Sequence, residues 1–222
     1  MRHLSRRSML QAAVVMCMTG LGSANAQASG LHEAVERNDL AALRTLLATQ
    51  VPLNERDAQG RTPLLLATQN NRVEAAHLLI EAGADVNAKD AVSDSAYLLA
   101  GARGYNEILQ LTLTHGADLK SVNRYGGTAL IPACERGHVQ TVRLLIAAGV
   151  DANHINRLGW TCLLEAVILG DGGARHLAIV GQLIAARADL NLADAQGVTA
   201  LQHARQKGQS AVATLLQEAG AR

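Results

Sequence analysis

The sequence predicts an all-α repeat solenoid of about six units, each a helix–turn–helix pair joined to the next by a β-hairpin loop. Three observations carry this. The hydroxyl residues Thr62, Ser95, Thr128, Thr161 and Thr199 open similar segments at intervals of 33, 33, 33 and 38 residues, and Leu31 precedes Leu64 by 33. A short closing fragment recurs in phase with them: Gly83-Ala84-Asp85-Val86-Asn87, Gly116-Ala117-Asp118-Leu119, Gly149-Val150-Asp151-Ala152-Asn153 and Ala188-Asp189-Leu190-Asn191. The chain is 49% hydrophobic but only 2% aromatic, without Phe. A single globular core uses aromatics as large fillers. Ala, Leu and Gly instead suit thin helices that stack closely, each unit burying its apolar face against its neighbours.

Residues 1–26 are a different kind of sequence. Arg2, Arg6 and Arg7 precede an apolar run from Met9 to Leu21, and Ala24-Asn25-Ala26 ends it with small residues. This is the three-part pattern of a secretory signal, expected to be cut after Ala26. The run is too short for the roughly 20 residues of a membrane span. Ser5-Arg6-Arg7-Ser8-Met9-Leu10 fits a twin-arginine signal as well as the general route. Cys17 follows bulky Val14-Val15-Met16, which speaks against a lipoprotein site. Removing the three arginines from the 20 basic residues leaves 17 against 19 acidic ones. A mildly acidic chain is a poor match for nucleic acid, whose binding rests on a basic face. No second apolar segment is long enough to span a membrane.

Residues 27–222 divide into units of about 28–56, 57–89, 90–122, 123–155, 156–193 and 194–222. In the second, Thr62 is placed to cap a helix and Pro63 to follow at its first position, where a missing N–H costs nothing. Leu64 to Ala67 begin a short helix that Asn70-Asn71 breaks. Val73 to Glu81 form a second helix, with Val73, Ala76, His77 and Ile80 at helical spacing on one face. Gly83 fits the left-handed position after it. Asp57-Ala58-Gln59-Gly60 and Asp194-Ala195-Gln196-Gly197 read as hairpin turns. Glu33, Glu36, Arg37 and Asp39 make the first unit a polar cap; Gln206, Lys207, Gln209, Gln217 and Glu218 do so for the last.

Thr62-Pro63-Leu64, Leu78-Leu79-Ile80 and the recurring G-A-D-V-N fragment resemble the ankyrin-repeat family, over nearly the whole of residues 27–222. The resemblance implies a non-catalytic scaffold or adaptor that binds another protein with its hairpin tips and the exposed side of its first helices. Five positions depart from the pattern. Ser93 replaces a turn glycine and Ser95-Ala96 replaces Thr-Pro. Pro132 falls inside a first helix, where it should loosen the first turn. Arg187 stands where other units have Gly; a left-handed residue there costs about 1 kcal/mol, so a different or a less stable helix end is expected.

Cys134 and Cys162 sit five residues out of phase on neighbouring first helices. An axial offset of about 7 Å added to a helix spacing of roughly 8–10 Å exceeds the limit for a bridge. Two separate buried thiols are expected.

No catalytic constellation emerges. His32-Glu33 does not continue to H-E-x-x-H, no G-x-S-x-G is present, and Gly170-Asp171-Gly172-Gly173 lacks the Lys of a phosphate loop. His138 and His176 share one repeat position, where the resemblance implies a bond to neighbouring backbone. No metal or cofactor is expected. The competing reading is a metal-binding protein or enzyme using His176 and Asp171.

Mapping the family's binding positions onto the units singles out the fourth and fifth, with flanking Arg103. Arg124, Tyr125, Arg136, Arg157, Leu158, Trp160, Ile168 and Leu169 complete the set. Arg and aromatic residues dominate interface hot spots, and an exposed Trp in so aromatic-poor a chain would need a partner. A patch centred on Tyr125, Leu158 and Trp160 is therefore expected, against the alternative that Trp160 packs on its own hairpin. The five residues Asp171 to Arg175 have no counterpart in other units. They resemble a G-D-G-G extension in a subgroup of bacterial ankyrin proteins, and are expected to form a lid over Ile168 and Leu169 rather than a binding loop. The expected whole is a monomeric periplasmic adaptor, in a direction the resemblance ties to peroxide defence. A secreted effector acting on host proteins is the alternative.

Overall fold

The computed structural model describes residues 30–222; the segment read as an export signal lies outside the described residues. Twelve helices follow one another among them. The first, α1, occupies residues 30–37 of the described chain. The others are α2 (Leu40–Leu47), α3 (Pro63–Gln69), α4 (Val73–Glu81), α5 (Ala96–Arg103), α6 (Asn106–Thr114), α7 (Leu130–Glu135), α8 (Val139–Ala147), α9 (Cys162–Ile168), α10 (Ala174–Ala185), α11 (Ala200–Gln206) and α12 (Ser210–Glu218). Odd-numbered helices stack in one layer and even-numbered helices in a second, each against its counterpart one unit away. The core is one continuous strip between the layers, from Leu31 to Ala221.

The first helices begin as their sequences dictate. The side-chain oxygens of Thr62, Ser95, Thr161 and Thr199 accept from the N–H three residues on, at Leu65, Leu98, Leu164 and Gln202. Ser95 thus serves as well as Thr. Helix α7 is the exception. In the other units the fourth N–H after the cap bonds to the capping residue's carbonyl, as Leu66 does to Thr62 at 2.9 Å. Pro132 holds that place in α7 and has no N–H, so Ile131 bonds to the Thr128 carbonyl at 3.3 Å instead. The Thr128 hydroxyl is left buried without a partner, and α7 starts one residue late. This is the loosened first turn expected of Pro132.

The face that α4 buries coincides only in part with the one its spacing marks. In α4 the buried residues are Ala75, Ala76, Leu79 and Ile80; Val73 and His77 stand at the edge. The helix is wedged between α3 and two flanking second helices, α2 and α6, and this rotates its apolar stripe toward Ala75 and Leu79. Arg187 adopts φ +59°, in line with Gly83, Gly116, Gly149 and Gly220. Helix α10 therefore ends like its counterparts, with Arg187 N bonded to Ile184 O at 2.9 Å and Ala188 N to Leu183 O at 3.0 Å. Of the two expected outcomes the different ending does not occur, because the strain at one residue is small against these capping bonds and the stack around them.

The hairpins are tight turns rather than paired strands; among the described residues the pairing is limited to an isolated bridge between Ala193 and Thr199. Each turn is held by an Asp or Asn side chain. Asp57 accepts from Gln59 and Arg61, Asp90 from Val92 and Asp94, and Asn123 from Tyr125 and Gly127. Asn156 accepts from Leu158 and Trp160, and Asp194 from Gln196 and Val198. Ser93, at φ +66°, takes the left-handed place that Gly60 fills in the preceding hairpin.

Cys134 and Cys162 are disulfide-bonded, with Cα atoms 5.6 Å apart. The expected separation was wrong because neighbouring first helices do not stack in register. The sixth residue after one opening hydroxyl meets the first residue after the next. One unit earlier, a Cβ at Gly101 would come within 2.8 Å of the Ala129 Cβ; that pair occupies the same two repeat positions as Cys134 and Cys162. The five-residue offset is thus what brings the cysteines together.

Candidate functional site

Hairpin tips and first helices enclose a concave cavity of about 380 Å³ across the third, fourth and fifth units. Its basic wall carries Arg103, Arg124 and Arg136 around Asp94, and its acidic wall carries Glu135 and Glu165. Tyr125, Leu158 and Leu169 line the same space and are 55%, 53% and 49% exposed. Six of the nine expected residues therefore converge here: Arg103, Arg124, Tyr125, Arg136, Leu158 and Leu169.

The other three do not line it. Trp160 is partly buried and packs against the core, so the expectation of an exposed tryptophan at the patch centre is corrected in favour of packing. Ile168 is likewise partly buried against the core. Arg157 is exposed but is spent on backbone contacts. Its N–H bonds to the Tyr125 carbonyl at 2.9 Å and its guanidinium to the Arg124 carbonyl at 2.8 Å. These bonds fasten the Tyr125 and Leu158 tips to each other.

The charges on the basic wall are arranged around a resident anion. Arg124 approaches Asp94 at 3.5 Å and lies 4.8 Å over the Tyr125 ring. Burial raises the Asp94 carboxyl above the usual range, opposed first by Arg124. Arg136 donates to the Ala102 carbonyl.

Glu165 was missed by the sequence reading. It is 5% exposed, yet lines the cavity. The hairpin residue Asn156 donates to its Oε1 at 2.8 Å. Burial, and then the neighbouring Glu135, push its pKa up to about 7. Equivalent positions hold Leu66, Leu99, Pro132 and His203, so an acid in a largely apolar column was the available signal. His203 makes the corresponding bond in the last unit, to Asp194 at 2.7 Å.

The His176–Asp171 pair is structural in this arrangement. His176 Nδ1 contacts Asp171 Oδ1 at 2.8 Å and Nε2 contacts the Glu135 carbonyl at 3.0 Å. Both ring nitrogens are thereby engaged. No group of three metal-ligating side chains occurs among the described residues. His138 holds the Ala102 carbonyl in the same way, and burial keeps its pKa below the usual histidine value. Gln209, expected on the polar end cap, is instead buried, donating to the Val167 and Gly170 carbonyls.

The insertion divides between loop and helix. Helix α10 has 12 residues where α8 has 9, and the rest lengthens the turn. Asp171 accepts from Gly173 N at 2.9 Å. Gly172, at φ +67°, lies so close to Gln209 that a Cβ would meet its Cγ at 2.6 Å. The insertion thus seals against the last unit. It is not a lid over Leu169, which stays exposed, because its turn folds back onto His176 and Gln209.

Comparison with known proteins agrees with this architecture. Family models for ankyrin repeats match residues 31–80 (many copies) and 97–174 (three copies). None of the curated proteins matches the sequence. Among solved structures, an ankyrin repeat domain from Acinetobacter baumannii AYE is 57% identical, with a TM-score of 0.85 over 86% of this chain and 98% of that one. The ankyrin repeat protein EF0377 is 41% identical, with a TM-score of 0.84 over the same shares. The ankyrin repeat domain of Bcl-3, a member of the IkappaB family, is 28% identical, with a TM-score of 0.78 over 87% of this chain and 86% of that one. Such repeats generally mediate protein–protein interaction, and no helix among the described residues is long and apolar enough to cross a membrane. The chain belongs to the ankyrin-repeat family.

Proposed function

We propose that this protein is an exported, non-catalytic adaptor that binds a partner protein in the concave cavity of its third to fifth units. One observation carries the reading. Three half-exposed apolar side chains, Tyr125, Leu158 and Leu169, share a cavity with three arginines; Tyr and Arg are the types enriched at interface hot spots, and the leucines add apolar surface around them. The geometry is pre-set, since Arg157 ties the two tips together, and little ordering is left for binding to impose. The charge-and-hydropathy pattern of residues 1–26 supports export to the periplasm. The Cys134–Cys162 bond fits an oxidising compartment.

The test is a crosslinked pull-down from the native periplasm, with wild type beside Tyr125→Ala/Leu158→Ala as baits. Both side chains are half in solvent, so the double variant keeps the fold. A partner captured by the first and lost by the second is the expected result. The same partner retained by both would place binding elsewhere. Recovery of the chain from the medium rather than the periplasmic fraction would favour an effector that acts outside the cell.

A further inference from the structure

The two walls of the cavity differ in what they lack. On the basic wall the guanidinium of Arg124 has Asp94, that of Arg136 has the Ala102 carbonyl, and Arg103 is exposed to solvent within reach of the Asp94 charge. On the acidic wall Glu165 is 5% exposed and accepts one hydrogen bond, from Asn156 to Oε1. Its Oε2 has no hydrogen bond among the described residues. Glu135 stands beside it with the same charge, and Arg136 offsets that only in part. A carboxylate this buried is normally paired with a cation. Here the missing partner is a cation, and the open side of the carboxylate is the cavity.

The approach to that point is apolar. Leu158 and Leu169 line it with half-exposed side chains. Long basic side chains lay their methylene stems on such surface while the charged head reaches a polar group. The cavity volume of about 380 Å³ admits a side chain of that length. Neutral and acidic side chains would leave Glu165 unmatched or add a third negative charge to Glu135 and Glu165.

We propose that the cavity takes one Lys or Arg side chain from an extended segment of the partner, its charged head on Glu165 and Glu135 and its stem against Leu158 and Leu169. This rests on the reading of the concave face as the protein-binding surface and names the chemistry it selects. The basic wall then serves the peptide's carbonyls or an acidic neighbour of the selected residue. The raised pKa of Glu165 accords with a carboxylate awaiting its counter-ion.

The experiment is an array of random-sequence decapeptides probed at pH 8 with the purified protein and with Glu165→Gln and Glu135→Gln. Gln keeps the shape of Glu165 and its bond from Asn156. The expected result is a bound set sharing Lys or Arg at one fixed position, with replacement of a selected Lys by norleucine weakening binding about tenfold or more. Glu165→Gln should lose the preference while still binding the same peptides through their apolar residues, and Glu135→Gln should weaken it. A bound set without a fixed basic position, or one unchanged in Glu165→Gln, overturns the proposal and leaves the wider reading standing. Should Glu165→Gln not fold, a preference undiminished in Glu135→Gln overturns it equally. Absence of any bound peptide overturns the proposal, and the partner capture described above decides the wider reading separately.

Discussion

The Cα atoms of Cys134 on α7 and Cys162 on α9 lie 5.6 Å apart and their sulfurs are bonded, joining the fourth and fifth units. Both side chains are fully buried. The bond fixes the relative position of the helix that carries Glu135 and the helix that carries Glu165, so it underlies the acidic wall of the cavity. The same two repeat positions are Gly101 and Ala129 one unit earlier, in close backbone approach without a bond.

Removing the bond should destabilise the protein. Closing a loop of 28 residues is worth roughly 3–4 kcal/mol on the chain-entropy model. Denaturant unfolding of Cys134→Ala/Cys162→Ala should show a loss of that order, and reductant should produce it in wild type but not in the variant. Equal midpoints with and without reductant would contradict the bond's contribution.

Pro132→Leu should stabilise the protein. Leu66 and Leu99 hold the same column, and a leucine there restores the missing N–H donor. The Thr128 hydroxyl could then accept from the third N–H of the helix, as its counterparts do. The expected gain is about 0.5–2 kcal/mol in equilibrium unfolding, the range for helix caps. Unchanged or lower stability would show that the loosened turn is fixed by something other than the proline.

Arg187→Gly should also stabilise, by about 1 kcal/mol, since a left-handed φ of +59° costs a residue with a Cβ and not a glycine. Thermal unfolding under the same conditions measures it. Arg187→Ala should show no comparable gain, which separates the backbone effect from loss of the charge.

Glu165 gives the fold a pH dependence of definite sign. Its folded-state pKa is raised to about 7, from an ordinary 4.5, by burial and then by Glu135. The native state therefore holds this proton more tightly than the unfolded chain between those values. Its contribution is most favourable below pH 4.5, and stability is lost as pH rises to about 7, then levels off. Besides Glu135, the groups acting on it are Asn156 and Arg136. Glu165→Gln should flatten this part of the profile and gain on the order of 2 kcal/mol at pH 8. An unaltered slope between pH 5 and 7 would place the titrating group elsewhere.

Much of the architecture was legible because it is periodic. Thr62, Pro63, Val73 to Glu81 and Gly83 each carry a local physical signal, and the structure places the cap, the helix bounds and the left-handed glycine as those signals require. What was not legible depends on how one unit slides against the next. The Cys134–Cys162 pairing follows from the stagger of first helices, which no single unit encodes. The partly buried place of Trp160, the buried Gln209 and the exposed Leu169 likewise follow from contacts between units. For the candidate site, the family's binding positions brought Arg124, Tyr125 and Leu158 to notice on the hairpins and Arg103, Arg136 and Leu169 at the ends of first helices. Glu165 escaped because it projects from a helix face that most units make apolar, and its meaning appears only once Glu135 from another unit stands beside it.

Photo-crosslinking in the living cell tests the concave face most directly. Benzoylphenylalanine placed at position 125 or 158, and as a control at exposed Thr214 on α12, would be irradiated and the adducts resolved by size. The expected result is the same discrete adduct from positions 125 and 158 and none from 214. Adducts from 214 alone, or none from 125 and 158 in protein that is folded and present, would contradict the assignment of binding to this cavity.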